Sequence, residues 1–500
     1  MRRLVVLALL FLPAAAPAQP RGAFARVDSV VALAMKTWKV PGLAVAVTTK
    51  HSVIFAKGYG VRRIGDPTPV DPQTLFAIGS ASKAFTGASL AMLADDGKVT
   101  MDDRVTDHLP YFEMYDPWVT RELRLRDLLL HRSGMERGEL VWYNTSRSRE
   151  EIVRSIRHLA PTTSFRSRFQ YQNLMYITAG EVILAASGMT WDDFVKRRIF
   201  SPLGMTSSST SVRDLQGAPN VAQPHAELDN AIRVVPYRNI DNARAAGSIN
   251  SNVVDMAKWV RLWLNGGVAE GQRLLSDAMT REAMRSQQVV DDPVLNAMIG
   301  NPTFSGYGFG WFVADFRGRR QVGHGGNIDG MSAMVGFLPD DGIGVVILTN
   351  LNQNLGTVPL MNSFFDRALG VTPKDWIGEF QRAQEHFMAA MQAQGAMPAP
   401  TPGTRPSLPL EQYAGTYRHP LYGTATVRFD GGKLVIGYDH NATGTGDLEH
   451  HQYDAFTAMM RDPILGKAPV TFRVGYRGTV ESMRFGLMGA DGEWVRLPAK

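Results

Sequence analysis

The 500-residue sequence predicts a mixed α/β (α+β) architecture: an antiparallel sheet flanked by helices, an inserted all-helical subdomain, and a small C-terminal antiparallel β-barrel or half-barrel. Three observations predict it. Hairpin-like β-rich runs cluster at two distant places, residues 43–60 and 307–350. The stretch between them, from about Asp102 to Gly267, is mostly helical pattern and loop. A linker rich in proline and small residues, 396–408, then leads into short alternating strands over 409–500. Sheet, helical insertion, sheet, and a separate all-β unit is the arrangement such a sequence of patterns can bury.

The elements follow in order. Arg2 and Arg3, the apolar run Leu4 to Leu12 and the small-residue site Ala16-Pro17-Ala18 read as a signal peptide over 1–18, too short to span a bilayer. A catalytic domain over 19–395 is expected to begin with a helix from about Phe24 to Trp38. LAVAVTTKHSVIFAKGYG, 43–60, is two β-rich runs around a polar turn at Lys50 and His51. A helix beginning near Ser80 shows apolar Phe85, Ala88 and Met92 at helical spacing and stops at Gly97. Hairpins are predicted over 307–326, turning at Gly318, and over 332–350, turning at Asp341-Gly342, followed by helices at 356–369 and 375–394. Strands joined by such short turns make the sheet largely antiparallel. Beyond the linker, Asp-Gly and Gly-Gly turns punctuate the last domain.

Composition excludes several classes of function. The chain carries 44% apolar and 20% charged residues, a globular balance, and its net charge of +6 falls to +4 once Arg2 and Arg3 leave with the signal. With no long basic run, no nucleic-acid partner is expected. Cysteine is absent, which removes disulfides, thiolate catalysis and cysteine-ligated zinc. No G-x-S-x-G elbow, H-E-x-x-H pair, phosphate-binding P-loop or dinucleotide G-x-G-x-x-G occurs. His440, His450 and His451 lack acidic or cysteine partners at ligand spacing, so neither a metal nor a cofactor is expected.

The chemistry is concentrated in FAIGSASKAFT, 76–86. On a helix, Ser80 and Lys83 at i and i+3 share a face. A lysine in a partly dry pocket can lose its proton near neutral pH and activate a serine that is a feeble nucleophile alone. A helix N-terminus beneath Ser80 also suits a developing oxyanion. Because S-x-x-K recurs by chance in a chain this long, the other parts must be found elsewhere. Two signals supply them: Tyr171 and Asn173 as Y-x-N, and the glycine-flanked strand His324-Gly325-Gly326. His131, in LLLHRSGM, reads by itself as a structural histidine closing a helix before Gly134.

These motifs, with SPLGMTSS, AAGSINSNVVDMAKWVRLWLNGG, YGFGWF and GHGGNIDG in that order, resemble the serine β-lactamase/DD-peptidase superfamily, closest to its class C β-lactamase-like secreted hydrolases and D-aminopeptidases. The resemblance covers roughly 25–370, and the segment from 409 resembles a lipocalin-like module. It implies a periplasmic or secreted serine hydrolase cleaving amide or ester bonds through a Ser80 acyl-enzyme. Lys83 and Tyr171 would form the base, the lysine cation favouring the phenolate, and Asn173 would bond the substrate through a two-sided amide. His324 would bond Tyr171 or a leaving group, while Gly325, Gly326 and Asn327 wall the cleft. Ser80 and Asn327 would give the oxyanion amides. Where the lactamase pattern has lysine, a hydroxyl residue and glycine, this strand has His324, Gly325 and Gly326, a poorer partner for a β-lactam carboxylate. A small peptide or ester substrate is therefore favoured, with a class C-like β-lactamase or a non-turning-over penicillin-binding sensor or scaffold as alternatives. No membrane anchor is expected after signal cleavage, and the C-terminal domain is expected to shape the cleft mouth or make homo-oligomers.

Overall fold

The computed structural model describes residues 22 and 24–498 except 299, 396–398, 442, 490 and 491, and the side chains of these apart from 298 and 386–395. The proposed signal segment and part of the linker lie outside the described residues.

Nine strands form one sheet, antiparallel throughout. In chain order they are β1 (Gly42–Thr49), β2 (Val53–Arg63), β3 (Asp66–Pro69), β4 (Gln288–Val289), β5 (Ser305–Tyr307), β6 (Phe312–Phe316), β7 (Arg319–Ile328), β8 (Met331–Leu338) and β9 (Ile343–Thr349). Their spatial order is β4-β5-β6-β7-β8-β9-β1-β2-β3, so the first hairpin completes a sheet whose other half arrives over two hundred residues later. Its central strands β1, β8 and β9 are buried on both faces. Leu43, Val45 and Val47 of β1 pack with Phe364 and Phe365 on one side, while Ala44 and Ala46 belong to the core shared with the helical insertion on the other. That is why β1, β8 and β9 read as continuous apolar runs rather than alternating ones.

The expected hairpins close on turns their sequences allow. Arg317 and Gly318 both have positive φ (50° and 74°), as a type I′ connection requires, and Gly342 is at 69°. The segment beginning at 307 differs from expectation: Ser305–Tyr307 is a separate strand, and the chain bends through Gly308-Phe309-Gly310 before β6. The helical insertion also carries short strand pairs, such as His225–Leu228 with Ala231–Val234, too brief for period-two patterning to reveal.

Two helices fix the centre of the molecule. α1 (Lys83–Asp95) is buried on every side from Lys83 to Leu93, with Phe85 stacked on Trp259 at 4.0 Å between ring centroids. α2 (Leu174–Ser187) packs beside it.

The C-terminal strands close into an eight-stranded antiparallel barrel whose first strand, Gly415–His419, pairs with its last, Glu493–Arg496. Closure removes sheet edges, and Tyr413, Tyr417, Phe456, Phe472 and Trp494 fill the interior. The barrel is welded to the loop after Gly138: Asn441 Nδ2 donates to Tyr143 O at 3.0 Å, and the Tyr438 hydroxyl shares its one proton between Leu140 O at 3.0 Å and Tyr422 O of the barrel at 2.7 Å. Arg238, 5% exposed, bridges Asp329 at the tip of the β7–β8 turn and Asp462 of the barrel, at 2.6 Å each.

Candidate active site

Ser80 lies in a single 3₁₀ turn, Gly79–Ser82, that runs directly into α1, so the predicted helix start is refined to a tighter turn feeding a helix. Gly79 needs its positive φ of 51° and its missing side chain: a Cβ there would stand 2.7 Å from Asn327 N. Gly326 is equally constrained, since its Cβ would fall 1.8 Å from Ile78 O. The turn and β7 are therefore in backbone contact, and the amides of Ser80 and Asn327 are brought to one locality. Beyond Gly323, which pairs with Phe312, β7 has no strand partner on the β6 side among the described residues, leaving that edge of the strand free beside Ser80.

Lys83 is fully buried. Its Nζ donates to Ser80 Oγ at 3.0 Å and to Ala246 O at 2.8 Å. No carboxylate bonds the amine among the described residues. Burial, and then the Arg137 charge, push its pKa well below the ordinary 10.5, so the neutral amine is favoured.

Tyr171 packs its ring 4.9 Å from Lys83 Nζ. Burial raises the phenol, while a hydrogen bond with the Ser80 side chain and the Arg137 guanidinium, 5.1 Å from the ring centre, pull the other way. The cation that lowers this phenol is thus Arg137, where the sequence suggested Lys83, because the same burial that lifts the phenol disfavours the charged lysine.

His324 is buried, and both ring nitrogens are occupied: Nδ1 by Gly325 O and Nε2 by the Tyr307 hydroxyl at 2.9 Å. This corrects the expectation that it bonds Tyr171; the two rings lie 6.2 Å apart. Burial, reinforced by Lys83, lowers its pKa to about 3, so it is a neutral imidazole.

Asn173 is also buried. Its Nδ2 donates to Glu139 Oε1 and Oε2 at 3.1 and 3.2 Å, leaving the amide oxygen rather than both sides of the amide for a substrate. Glu139 in turn accepts from Arg137 Nε at 2.8 Å.

His131 closes a short helix as expected but does more. Its ring stacks on Tyr171 at 4.2 Å and its Nδ1 accepts from Gln172 N at 3.0 Å, fixing the backbone that leads to Tyr171.

Two cavities meet at Ser80. One, about 390 Å³, runs from Ser80 and Tyr171 along Gly323 to Asn327 toward Met334 and Met361. The other, about 370 Å³, is lined by Arg137, Glu139, Asn173 and Asp329 and is bordered by Met488 of the barrel.

The β-lactamase family profile matches residues 27–364, which contain every one of these catalytic-domain groups. The chain belongs to the β-lactamase family. A second profile, described as a domain of unknown function, matches 399–494. The unguisins hydrolase of Aspergillus violaceofuscus is 30% identical over 469 residues, 85% of this chain and 81% of that one, and its counterpart in Aspergillus campestris is 29% identical over 476 residues, 90% and 87%. Among solved structures, an octameric penicillin-binding protein homologue from Pyrococcus abyssi superposes with a TM-score of 0.63 at 21% identity, covering 94% of this chain and 98% of that one. SurE bound to D-Leu superposes with a TM-score of 0.52 at 21% identity, covering 96% and 100%. At such identity these two structures speak for the fold alone.

Within this β-lactamase-family site, sequence reasoning missed Arg137, Glu139 and Tyr307. Arg137 and Glu139 follow the HRSGM motif in an irregular loop, where no periodicity marks which side chains turn inward. Tyr307 sits in a strand of three residues.

Proposed function

We propose that the protein is an exported serine hydrolase cleaving amide or ester bonds of small peptide-like substrates through a Ser80 acyl-enzyme. The observation that carries this reading is the buried, carboxylate-free Lys83 amine at 3.0 Å from Ser80 Oγ. A neutral amine keeps a lone pair, so the contact can pass the Ser80 proton to nitrogen as Oγ attacks the carbonyl carbon. The oxyanion that forms would be met by the amides of Ser80 and Asn327. The protonated Lys83, through Tyr171, then returns the proton to the departing amine or alkoxide, and water cleaves the acyl-enzyme by the same path reversed. Asn173 would accept from a substrate amide, and Gly325 and Gly326 let the substrate backbone approach the free edge of β7.

The unguisins hydrolases, similar over 90% and 85% of this chain, support a hydrolase reading. A dedicated β-lactamase is less well supported, because His324 is neutral and residue 325 offers no hydroxyl to a β-lactam carboxylate. Export rests on the N-terminal sequence pattern; among the described residues no helix is long and apolar enough to cross a membrane. The test is a panel of p-nitrophenyl esters, D- and L-aminoacyl anilides and a chromogenic cephalosporin, each with wild type and Ser80→Ala. Steady turnover of an ester or anilide, abolished in the variant, is expected. A burst without further release would instead mark a non-turning-over penicillin-binding sensor, and full activity of Ser80→Ala would refute the proposal.

A further inference from the structure

Resting on the Ser80 hydrolase reading, we infer that the larger cavity is an apolar subsite. The bond cleaved at Ser80 then carries, on one side, an uncharged aliphatic or aromatic group large enough to fill it. The cavity starts at Ser80 and extends over the outer face of β7, where Gly323 and Gly325 present no side chains. A Cβ on Gly325 would stand 3.2 Å from the Met334 methyl, so the space where the lactamase pattern has a hydroxyl is here faced by a thioether. Phe312 and Ala314 of β6, Met334 of β8, and Val358 and Met361 of the helix Thr357–Leu369 belong to the apolar lining. About 390 Å³ is within the range of a small-molecule site.

Along this wall Gln321, on the same face of β7 as Gly323 and Gly325, offers a neutral amide, and the other polar side chains between Ser332 and Thr357 bond within the protein. Ser332 Oγ lies 2.7 Å from both Asn327 Oδ1 and Leu351 O, which share its one proton, and accepts from Asn354 N at 2.9 Å. The Asn354 side chain donates to Thr349 Oγ1 at 3.3 Å and accepts from Gly356 N at 2.9 Å, and Thr357 Oγ1 donates to Asn354 O at 3.2 Å. A charged group placed there would lose its hydration and meet neutral side chains such as Gln321 in place of a counter-ion, whereas an apolar one gains the full transfer energy. At the rim, Asp292 accepts from the amides of Val294 and Leu295, so a substrate carboxylate entering there would meet another carboxylate. Arg137 also borders the cavity, but beside Ser80 and Tyr171 and bonded to Glu139. The flexible Met334 and Met361 thioethers suit a pocket that accepts several apolar shapes.

Two ester series test this with the full chain: p-nitrophenyl acetate to octanoate, which lengthens the acyl side, and methyl to hexyl acetates, which lengthen the alcohol side. In one series kcat/KM should rise about fourfold per methylene until the cavity is full. In the acyl series, p-nitrophenyl monoglutarate should fall at least about tenfold below the hexanoate, the cost of an unpaired charge. Ala314→Phe and Val358→Phe, which fill the cavity from different elements, should each lower the ratio of the long ester to acetate in the responsive series by about tenfold or more, and one folded variant suffices. Flat dependence in both series overturns the inference, as does, where the acyl series is the one that responds, a monoglutarate turned over as well as the hexanoate, or an unchanged ratio in a folded filled variant. Ester hydrolysis that survives Ser80→Ala refutes the hydrolase reading instead, so the two failures are distinguishable.

Discussion

Lys83 and Arg238 are both basic side chains buried in the same molecule, and their surroundings treat them oppositely. Lys83, at 0% exposure, has a serine hydroxyl and a backbone carbonyl for company. Arg238, at 5%, has two aspartates and lies 5.1 Å from the Tyr143 ring, which donates its hydroxyl to the same Asp329. Burial without a counter-ion favours the uncharged amine and leaves a base; burial between two carboxylates keeps the guanidinium charged and leaves a clamp. The first arrangement is suited to moving a proton, the second to holding the barrel against the turn that ends β7.

The largest effect expected from this contrast is on Lys83. Lys83→Met should lower kcat/KM by about 10²–10⁴-fold, the range of a positioned general base, while thermal unfolding moves little because no buried charge loses a partner. A variant that unfolds instead would show that the amine is structural. Arg238→Met should behave in reverse, losing about 3–5 kcal/mol in urea unfolding because Asp329 and Asp462 are left buried and unpaired. If stability is unchanged, the clamp is not holding the two domains.

Tyr171→Phe is expected to cost about a hundredfold in kcat with KM little changed, since it removes a proton carrier but keeps the ring stacked on His131. A larger rise in KM than fall in kcat would make Tyr171 a binding group. The smallest effect belongs to the interdomain contacts. Tyr438→Phe should cost about 1 kcal/mol, a single net hydrogen bond, read from the urea midpoint.

What was legible in the sequence divides along the same line. The hairpin turns, α1 and the S-x-x-K pair are local: turn glycines, apolar spacing and i,i+3 geometry act within a few residues, and they appear close to where the pattern puts them, apart from the bend at Gly308 to Gly310 and the 3₁₀ turn that precedes α1. The wall opposite Ser80 is assembled from distant parts, Arg137 and Glu139 from a loop, Met334 from β8 and Val358 from a late helix, and no local pattern couples these positions. His324 shows the limit most clearly. Its place on the strand was readable, but its partner Tyr307 comes from a three-residue strand two places away in the sheet, so the bond to Tyr171 expected from the sequence is not made. Arg238 gave no signal because both its aspartates, at 329 and 462, are remote in sequence.

The central claim, that Lys83 is held neutral and serves as the base for Ser80, is tested most directly by kcat/KM for a neutral ester measured from pH 5 to pH 10.5. The active form is the deprotonated amine, so the rate should rise with pH through the lowered pKa of Lys83 and level off well below the ordinary lysine value of 10.5. A rate that keeps climbing tenfold per pH unit up to pH 10 would mean that Lys83 is an ordinary charged lysine and that Ser80 is activated by something else.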